Sequence, residues 1–221
     1  MNLLNPHPLV SIVMPAYNAS ETLAQSIESV ISQKYSNWEL LLINDASTDA
    51  THQISEFFSV KDSRIKVISN KINQGVARSR NLALEARSGD LVAFLDSDDL
   101  WMDSKLSTQV DSLTSESNFS YMPYSLIDSN GKLIRNYLPP KSVSYKSMLL
   151  GNALGTLTVM LRSDFLGNSR FPIRGHEDYA LWLSLLSKGG KAIRAGGNES
   201  YAQYRIHASS LTSSKLRAAG W

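Results

Sequence analysis

The sequence contains no cysteine among its 221 residues. Disulfide bonds, thiolate catalysis and cysteine-ligated zinc are therefore excluded, and a reducing compartment is compatible with the composition. No apolar run approaches the roughly 20 residues that a membrane-spanning helix needs. The N-terminus lacks the basic stretch and long apolar run of a signal peptide. The net charge of +2 is too small to indicate a nucleic-acid-binding protein.

The remaining composition is that of an ordinary globular protein. Apolar residues make up 43% of the chain and charged residues 19%, and both values are typical of soluble domains. We find no long linker, internal repeat or low-complexity tract. The length and this continuity predict one domain over residues 1–221, with a first half of about 1–100 and a second of about 101–212.

Apolar runs alternate with helical patterns in the first half. Strands are predicted at 9–14, 38–44, 65–69 and 91–95. Helices are predicted around 23–31, 54–58 and 76–87, the first with Ser20 as its N-cap and Glu21 in its first turn. This alternation predicts an α/β fold with a Rossmann-like, mostly parallel central sheet flanked by helices.

The second half has a different pattern, which predicts a smaller mixed region. A helix is predicted around 101–114, and a hairpin joins 119–127 to 132–137 through a polar turn. Another strand is predicted at 157–161 and a last one at 201–205. Tyr179, Trp182, Leu183 and Leu186 form an apolar stripe with helical spacing.

Ligands of open parallel sheets bind beyond the carboxyl ends of the strands. The strongest chemical feature at such a place is Asp96-Ser97-Asp98-Asp99, directly after the strand at 91–95. Carboxylates this close repel each other, and a hard divalent cation such as Mg²⁺ or Mn²⁺ would relieve the repulsion. The alternative is a solvated acidic turn that caps the next helix.

Three other segments follow predicted strands at the same edge. Asp45 can accept hydrogen bonds from a base or sugar, although taken alone it is better explained as a turn or helix-cap residue. In Pro15-Ala16-Tyr17-Asn18, the tyrosine can stack on a ring, or the segment is an ordinary turn. The loop through Gly75 precedes a helix that carries Arg78 and Arg80, which either meet phosphate or form a solvated face.

Two late segments are also candidates. Glu177 and Asp178 lie at the predicted start of a helix, where they either cap the helix dipole or include a general base. His207 follows the last predicted strand, and a neutral imidazole there can ligate a metal or contact a diphosphate.

Together these segments resemble the family 2 glycosyltransferases, which have the GT-A fold. The matching segments appear in the family's order and cover most of residues 9–212. They are VSIVMPAYNASETLAQSIESVISQ, WELLLINDASTD, NKINQGVARSRNLALEARSGDLVAFLDSDD, HEDYALWLSLL and YRIHASSLT.

The resemblance implies a cytoplasmic, metal-dependent enzyme that transfers a sugar with inversion from a nucleotide-diphosphate sugar to a hydroxyl of a glycan or lipid-linked acceptor. Family habit favours a UDP-sugar and bacterial surface polysaccharide synthesis. The first half would bind the donor and the second the acceptor. The implied donor-binding residues are Pro15, Ala16, Tyr17, Asn18, Asp45, Gly75, Arg78, Asp96 and Ser97.

The resemblance also assigns roles in the reaction. Asp96 and Asp98 would hold Mn²⁺ or Mg²⁺, with His207 as a further metal ligand. Asp178 would be the general base, with Glu177 beside it. Residues 213–221 combine basic, apolar and aromatic side chains, which predicts either an amphipathic start of a membrane-surface segment or a frayed tail.

Two other functions are compatible with single motifs. A haloacid-dehalogenase-type phosphatase also places Asp-x-Asp after a strand, but usually near the N-terminus. A non-catalytic nucleotide-sugar-binding module would share the donor site, although it has no need for Asp178.

Overall fold

The computed structural model describes residues 6–113 and 117–206. His207 and the predicted amphipathic segment at 213–221 lie outside the described residues. None of the helices within the described part is long and apolar enough to cross a membrane.

The first half alternates strands and helices as the sequence predicts. The strands are β1 (Val10–Ala16), β2 (Trp38–Asn44), β3 (Ile65–Ser69) and β4 (Leu91–Phe94), and the helices are α1 (Leu23–Ile31), α2 (Thr51–Lys61) and α3 (Val76–Ala86). The four strands pair in parallel in the order β3-β2-β1-β4. Their carboxyl ends therefore meet at one edge, where the candidate residues lie.

The second half extends this sheet and adds a smaller one. Its strands are β5 (Leu100–Trp101), β6 (Phe119–Tyr121), β7 (Tyr124–Ile127), β8 (Leu133–Tyr137), β9 (Ser142–Val143), β10 (Met160–Arg162), β11 (Ala192–Arg194) and β12 (Ala202–Arg205). Its helices are α4 (Lys105–Ser112), α5 (Tyr145–Met148), α6 (Ser163–Leu166) and α7 (Glu177–Ser187).

The large sheet is parallel in its first half and mixed beyond it. It continues from β4 through β10, β6, β11 and β9, and β10 runs antiparallel to both of its neighbours. The small sheet has the order β5-β12-β7-β8, and Arg205 at the end of β12 donates a hydrogen bond to Asp99, which follows β4. The α/β fold is confirmed, with a central sheet that is mixed as a whole.

Several predicted boundaries in the second half are wrong. The run at 119–127 is two strands in different sheets, because Pro123 interrupts it and a proline has no N–H for a ladder. The predicted strand at 157–161 begins as a turn of 3₁₀ helix, Thr156–Thr158, and only Met160 starts a strand. The predicted hairpin is confirmed for β7 and β8.

Two predicted helix starts are also wrong. Ser20 does not cap α1; the helix starts after Thr22, and the Ser20 N–H donates to Asp49 instead, at 3.0 Å. Glu21 consequently lies before the first turn. The helix predicted from residue 101 starts at Lys105, because Trp101 pairs with Ala202 as part of β5.

The large sheet is buried on both faces, and alternate residues of its strands face two hydrophobic clusters. Trp182 on α7 is fully buried and meets three phenylalanine rings edge-on. The centroid distances are 5.5 Å to Phe94, 5.5 Å to Phe119 and 5.9 Å to Phe171. This packing fixes α7 against the sheet and places its N-terminus near the end of β4.

Candidate active site

The segment Asp96–Asp99, here called the acid loop, is held from two sides. The Ser97 carbonyl accepts hydrogen bonds from the hydroxyls of Thr22 and Ser26 on the α1 side, both at 2.9 Å. From β12, the Arg205 N–H donates to Asp99 Oδ1 at 2.9 Å, and Arg205 Nε donates to the Asp98 carbonyl at 2.9 Å. The loop is thus a braced turn and not a freely solvated one.

The three carboxylates of the acid loop differ in burial. Asp99 is 1% exposed, and its Oδ2 has no hydrogen-bond partner. Burial, with repulsion from Asp98 and Asp96, raises its pKa well above the usual range. Asp96 and Asp98 are only partly buried. The two residues expected to bind a metal are therefore the more accessible ones, and Asp99 anchors the loop to β12.

Arg80 joins the acid loop to α7. Its NH2 group donates to both carboxylate oxygens of Asp96, at 2.7 and 3.0 Å, and its NH1 group donates to Glu177 Oε1 at 2.8 Å. Burial alone would lower the pKa of Arg80, but the carboxylates of Asp96 and Glu177 outweigh it and raise that pKa.

The alternative that Arg80 lies on a solvated face is therefore wrong, and the phosphate contact stays a prediction. The residue is 4% exposed, whereas its neighbour Arg78 is exposed. Helical spacing explains the difference, because Ala77, Arg80 and Leu84 share the face of α3 that packs on the sheet. That pattern of small and apolar neighbours was visible in the sequence.

The N-terminus of α7 presents both predicted acids. Asp178 Oδ2 accepts a hydrogen bond from the hydroxyl of Thr156, at 2.8 Å. His176 precedes the helix with φ of 60°, a left-handed conformation that few non-glycine residues adopt. Thr156 was not a predicted site residue, because the run at 157–161 was assigned to a continuous strand.

Asp45 and the ends of β1 and β2 form a second group. The Asp45 N–H donates to the Ala16 carbonyl at 2.8 Å. The buried Asp45 carboxylate accepts from Asn70 Nδ2 and the Gly75 N–H, both at 2.7 Å, and from the Gln74 N–H at 3.0 Å. It therefore fixes the loop in which Gly75 has φ of +87°. Sequence reasoning did not assign it this bracing role.

The remaining predicted donor-binding residues surround this group. Tyr17 is 50% exposed beyond the end of β1. Asn18 is also exposed, with φ of 47°, and its side-chain oxygen accepts from the Thr48 N–H at 2.8 Å. Pro15 and Ala16 are buried in the last residues of β1. A ligand here would lie against Tyr17 and the loop before α3.

A cavity of about 670 Å³ lies between the acid loop, α7 and the small sheet. Its acidic walls come from Asp96, Asp99, Glu177 and Asp178, and Arg80 lies between them. The cavity is also lined by four tyrosines and one arginine that sequence analysis did not assign to a site, namely Tyr124, Arg135, Tyr137, Tyr179 and Tyr204. Tyr17 and Asp45 lie outside this cavity, so the predicted residues form two neighbouring groups.

No cluster of three or more histidine or acidic side chains able to hold a metal occurs within residues 6–113 and 117–206. Asp96 and Asp98 alone would therefore leave coordination positions for phosphate oxygens and water. The predicted contribution of His207 is outside the described residues.

Comparison with solved structures defines the fold. S. aureus TarS 1–349 in complex with UDP-GlcNAc matches with a TM-score of 0.77 over 93% of this chain, at 21% identity. The mannosyltransferase PcManGT from Pyrobaculum calidifontis, in complex with GDP-Man and Mn²⁺, matches with a TM-score of 0.73 over 96% of this chain, at 17% identity. The chain spans 60% and 61% of these two structures. The fold is that of the GT-A glycosyltransferases.

Sequence comparison then assigns the family. The model of glycosyl transferase family 2 matches residues 11–170. The putative teichuronic acid biosynthesis glycosyltransferase TuaG of Bacillus subtilis is 39% identical over 98% of this chain and 86% of its own length. The Escherichia coli protein WfgD, a UDP-Glc:alpha-D-GlcNAc-diphosphoundecaprenol beta-1,3-glucosyltransferase, is 41% identical over 95% of this chain and 81% of its own length. The chain belongs to glycosyl transferase family 2, so the phosphatase alternative is wrong.

Proposed function

We propose that this glycosyltransferase moves a sugar, with inversion, from a UDP-sugar to a hydroxyl of a lipid-linked glycan in bacterial surface polysaccharide synthesis. The observation that carries the proposal is that Asp96 and the Glu177–Asp178 pair line one cavity. The names of WfgD and TuaG support the donor, the lipid-linked acceptor and the pathway class.

The donor nucleotide is proposed to bind at the ends of β1 and β2. Asp45 and the loop at Gly75 would contact the base, with Tyr17 stacked on a ring and Pro15, Ala16 and Asn18 shaping the pocket. Ser97 and Asp96 would face the ribose and diphosphate. Arg78 is exposed at the start of α3, and its guanidinium would contact phosphate.

The acid loop fits a divalent cation. Mg²⁺ and Mn²⁺ bind through oxygen ligands, typically one or two carboxylates together with substrate phosphates and water. Asp96 and Asp98 supply such carboxylates, both only partly buried, with a third acid, Asp99, next to them in the loop. When bound, the cation would supply Lewis-acid stabilisation of the diphosphate leaving group.

Asp178 is proposed as the general base. Thr156 holds one of its carboxylate oxygens at 2.8 Å, and the residue lines the cavity. It would take the proton of the acceptor hydroxyl as the oxygen attacks the anomeric carbon. A single base suits inversion, since one displacement needs no carboxylate nucleophile. Glu177, held by Arg80, would lie beside the acceptor.

The domain division and location follow from these roles. Residues of about 1–100 would bind the donor and those of about 101–212 the acceptor, within one domain. The enzyme would work in the cytoplasm at the inner face of the membrane, with 213–221 as a peripheral contact. Liposome co-sedimentation with and without residues 212–221 tests this contact, and equal partitioning of the two forms would reject it.

The donor proposal is tested by a thermal-shift screen of UDP- and GDP-sugars, each with and without Mn²⁺ or Mg²⁺. We expect one UDP-sugar to raise the melting temperature only when metal is present, and Asp98→Asn to abolish that rise. Transfer from this donor to a sugar-diphosphate-lipid, followed by mass spectrometry, tests the reaction. A protein that binds the donor yet forms no product would instead be a non-catalytic binding module.

A further inference from the structure

Arg80 contacts both sides of the proposed reaction centre. It is 4% exposed, donates twice to Asp96 and once to Glu177, and its Nε has no hydrogen-bond partner. The planar guanidinium can serve two carboxylates at fixed angles, which the single ammonium of lysine cannot do. The residue therefore sets a distance between the acid loop and α7.

The next residue along α3, Asn81, binds the other end of the segment 171–177, which leads into α7. Asn81 Nδ2 donates to the Phe171 carbonyl at 2.9 Å, and Asn81 Oδ1 accepts from the Phe171 N–H at 2.8 Å. The Arg80 guanidinium also lies over the Phe171 ring, 5.3 Å from its centroid. Two consecutive residues of α3 therefore bind the two ends of the segment 171–177, Asn81 at Phe171 and Arg80 at Glu177.

Little else in that segment is covered by protein. Residues 173–176 are exposed, and His176 adopts the left-handed conformation directly before α7. The position of Asp178 then depends on the hydrogen bond from Thr156 to its carboxylate, on the buried Trp182 further along the helix, and on Glu177 at the first turn. Arg80 is the partner that fixes Glu177.

We propose that Arg80 is a positioning residue for sugar transfer, which holds the start of α7 against the acid loop and so places Asp178 relative to the donor. The inference rests on the proposed function where it names Asp178 as the base. The link between Asp96, Arg80 and Glu177 does not depend on that role.

A purely structural ion pair is the competing explanation, and Arg162 provides the matched control. Arg162 is 8% exposed and donates to both carboxylate oxygens of Asp164, at 3.1 and 2.6 Å. It pairs with Leu91, at the opposite end of β4 from the acid loop. Arg162→Met removes a bidentate pair between a buried arginine and an exposed carboxylate without touching the cavity.

The experiment measures steady-state kinetics and amide hydrogen exchange for Arg80→Lys, Arg80→Met and Arg162→Met. Because lysine can still pair with Asp96 alone, we expect Arg80→Lys to lower kcat about 100-fold, as expected for a misplacement of about 1 Å. Its KM for the donor should change less than about threefold. Exchange over residues 171–178, measured without substrates, should become faster in both Arg80 variants and stay unchanged in Arg162→Met.

Glu177→Gln approaches the same link from the other side. It should accelerate exchange over 171–178, and the double variant with Arg80→Lys should exchange no faster than the faster single variant. It also keeps the test available if Arg80→Met does not fold. Wild-type kcat in Arg80→Lys, unchanged exchange over 171–178, or additive effects in the double variant would each overturn the inference. Lack of transfer by the wild-type enzyme would reject the proposed function, while the exchange comparison would still test the link.

Discussion

Replacing Asp178 by asparagine separates its chemical role from its structural one. The amide has the shape of the carboxylate, and its oxygen can still accept the hydrogen bond that Thr156 donates at 2.8 Å. The packing of α7 depends on Trp182 and is not altered. The variant should therefore fold normally and lose only the ability to take a proton.

The size of the expected loss follows from that separation. A positioned general base contributes about 10²- to 10⁴-fold to a rate, which corresponds to about 3–5 kcal/mol of transition-state stabilisation. On the stability side, one charge-assisted hydrogen bond becomes a neutral one, at a cost of about 1 kcal/mol. For a chain of this size, that lowers the melting temperature by about 2–4 °C.

The assay compares kcat and donor affinity of Asp178→Asn with those of wild type. We expect kcat to fall at least about 100-fold, while calorimetric binding of UDP with Mn²⁺ stays at the wild-type value. Thr156→Val is the companion variant, which keeps the Asp178 carboxylate but removes the hydrogen bond that orients it. Its kcat should lie between those of wild type and Asp178→Asn. A kcat for Asp178→Asn within about threefold of wild type would remove Asp178 as the base, since no base contribution is that small.

Two further substitutions test other parts of the molecule. Asp45→Asn turns an amide towards the Gly75 N–H in place of the carboxylate oxygen that accepts its hydrogen bond at 2.7 Å. Loss of this charged hydrogen bond should lower the free energy of unfolding by about 2 kcal/mol, weaken UDP binding and speed amide exchange over residues 70–75. If all three quantities are unchanged, the bracing role of Asp45 is contradicted. Burial would raise the pKa of Glu39, but hydrogen bonds from Lys66, Ser11 and Ser88 lower this pKa from 4.5 to about 2. The stabilisation of the folded protein by ionised Glu39 is therefore present above pH 4.5 and is lost as pH falls towards 2. Glu39→Gln should therefore lower the free energy of urea unfolding by at most about 3 kcal/mol at pH 7, with the difference shrinking below pH 4.5; a pH-independent difference would reject this.

Regular periodicity made the first half predictable. β2 and β3 have the predicted bounds, because each is a mostly apolar run between turn residues. β2 is also buried on both faces, as central parallel strands are. The second half could not be predicted as well. Short strands there change sheet at Pro123. The 3₁₀ turn Thr156–Thr158 has no repeating sequence pattern, and its Leu157 carbonyl accepts a hydrogen bond from Trp101 Nε1 at 2.8 Å.

The candidate site shows the same division. Asp45, Asp96 and Asp178 follow or begin regular elements, and topology alone brings such positions to one edge. The contacts that join them come from separate parts of the chain, since Arg80 binds Asp96 and also Glu177, which lies 97 residues away from it. No local pattern encodes such a pairing, which explains why sequence analysis assigned Arg80 to phosphate or solvent and did not single out Thr156.

The most direct test of the central claim is a crystal structure of the protein with Mn²⁺ and the intact donor identified by the thermal-shift screen. The account predicts the metal between the diphosphate and the Asp96 and Asp98 carboxylates. It also predicts the nucleotide base beside Asp45, and the sugar in the cavity with its anomeric carbon facing Asp178. A diphosphate bound away from the acid loop, or an Asp178 carboxylate on the same side of the sugar as the leaving group, would contradict it.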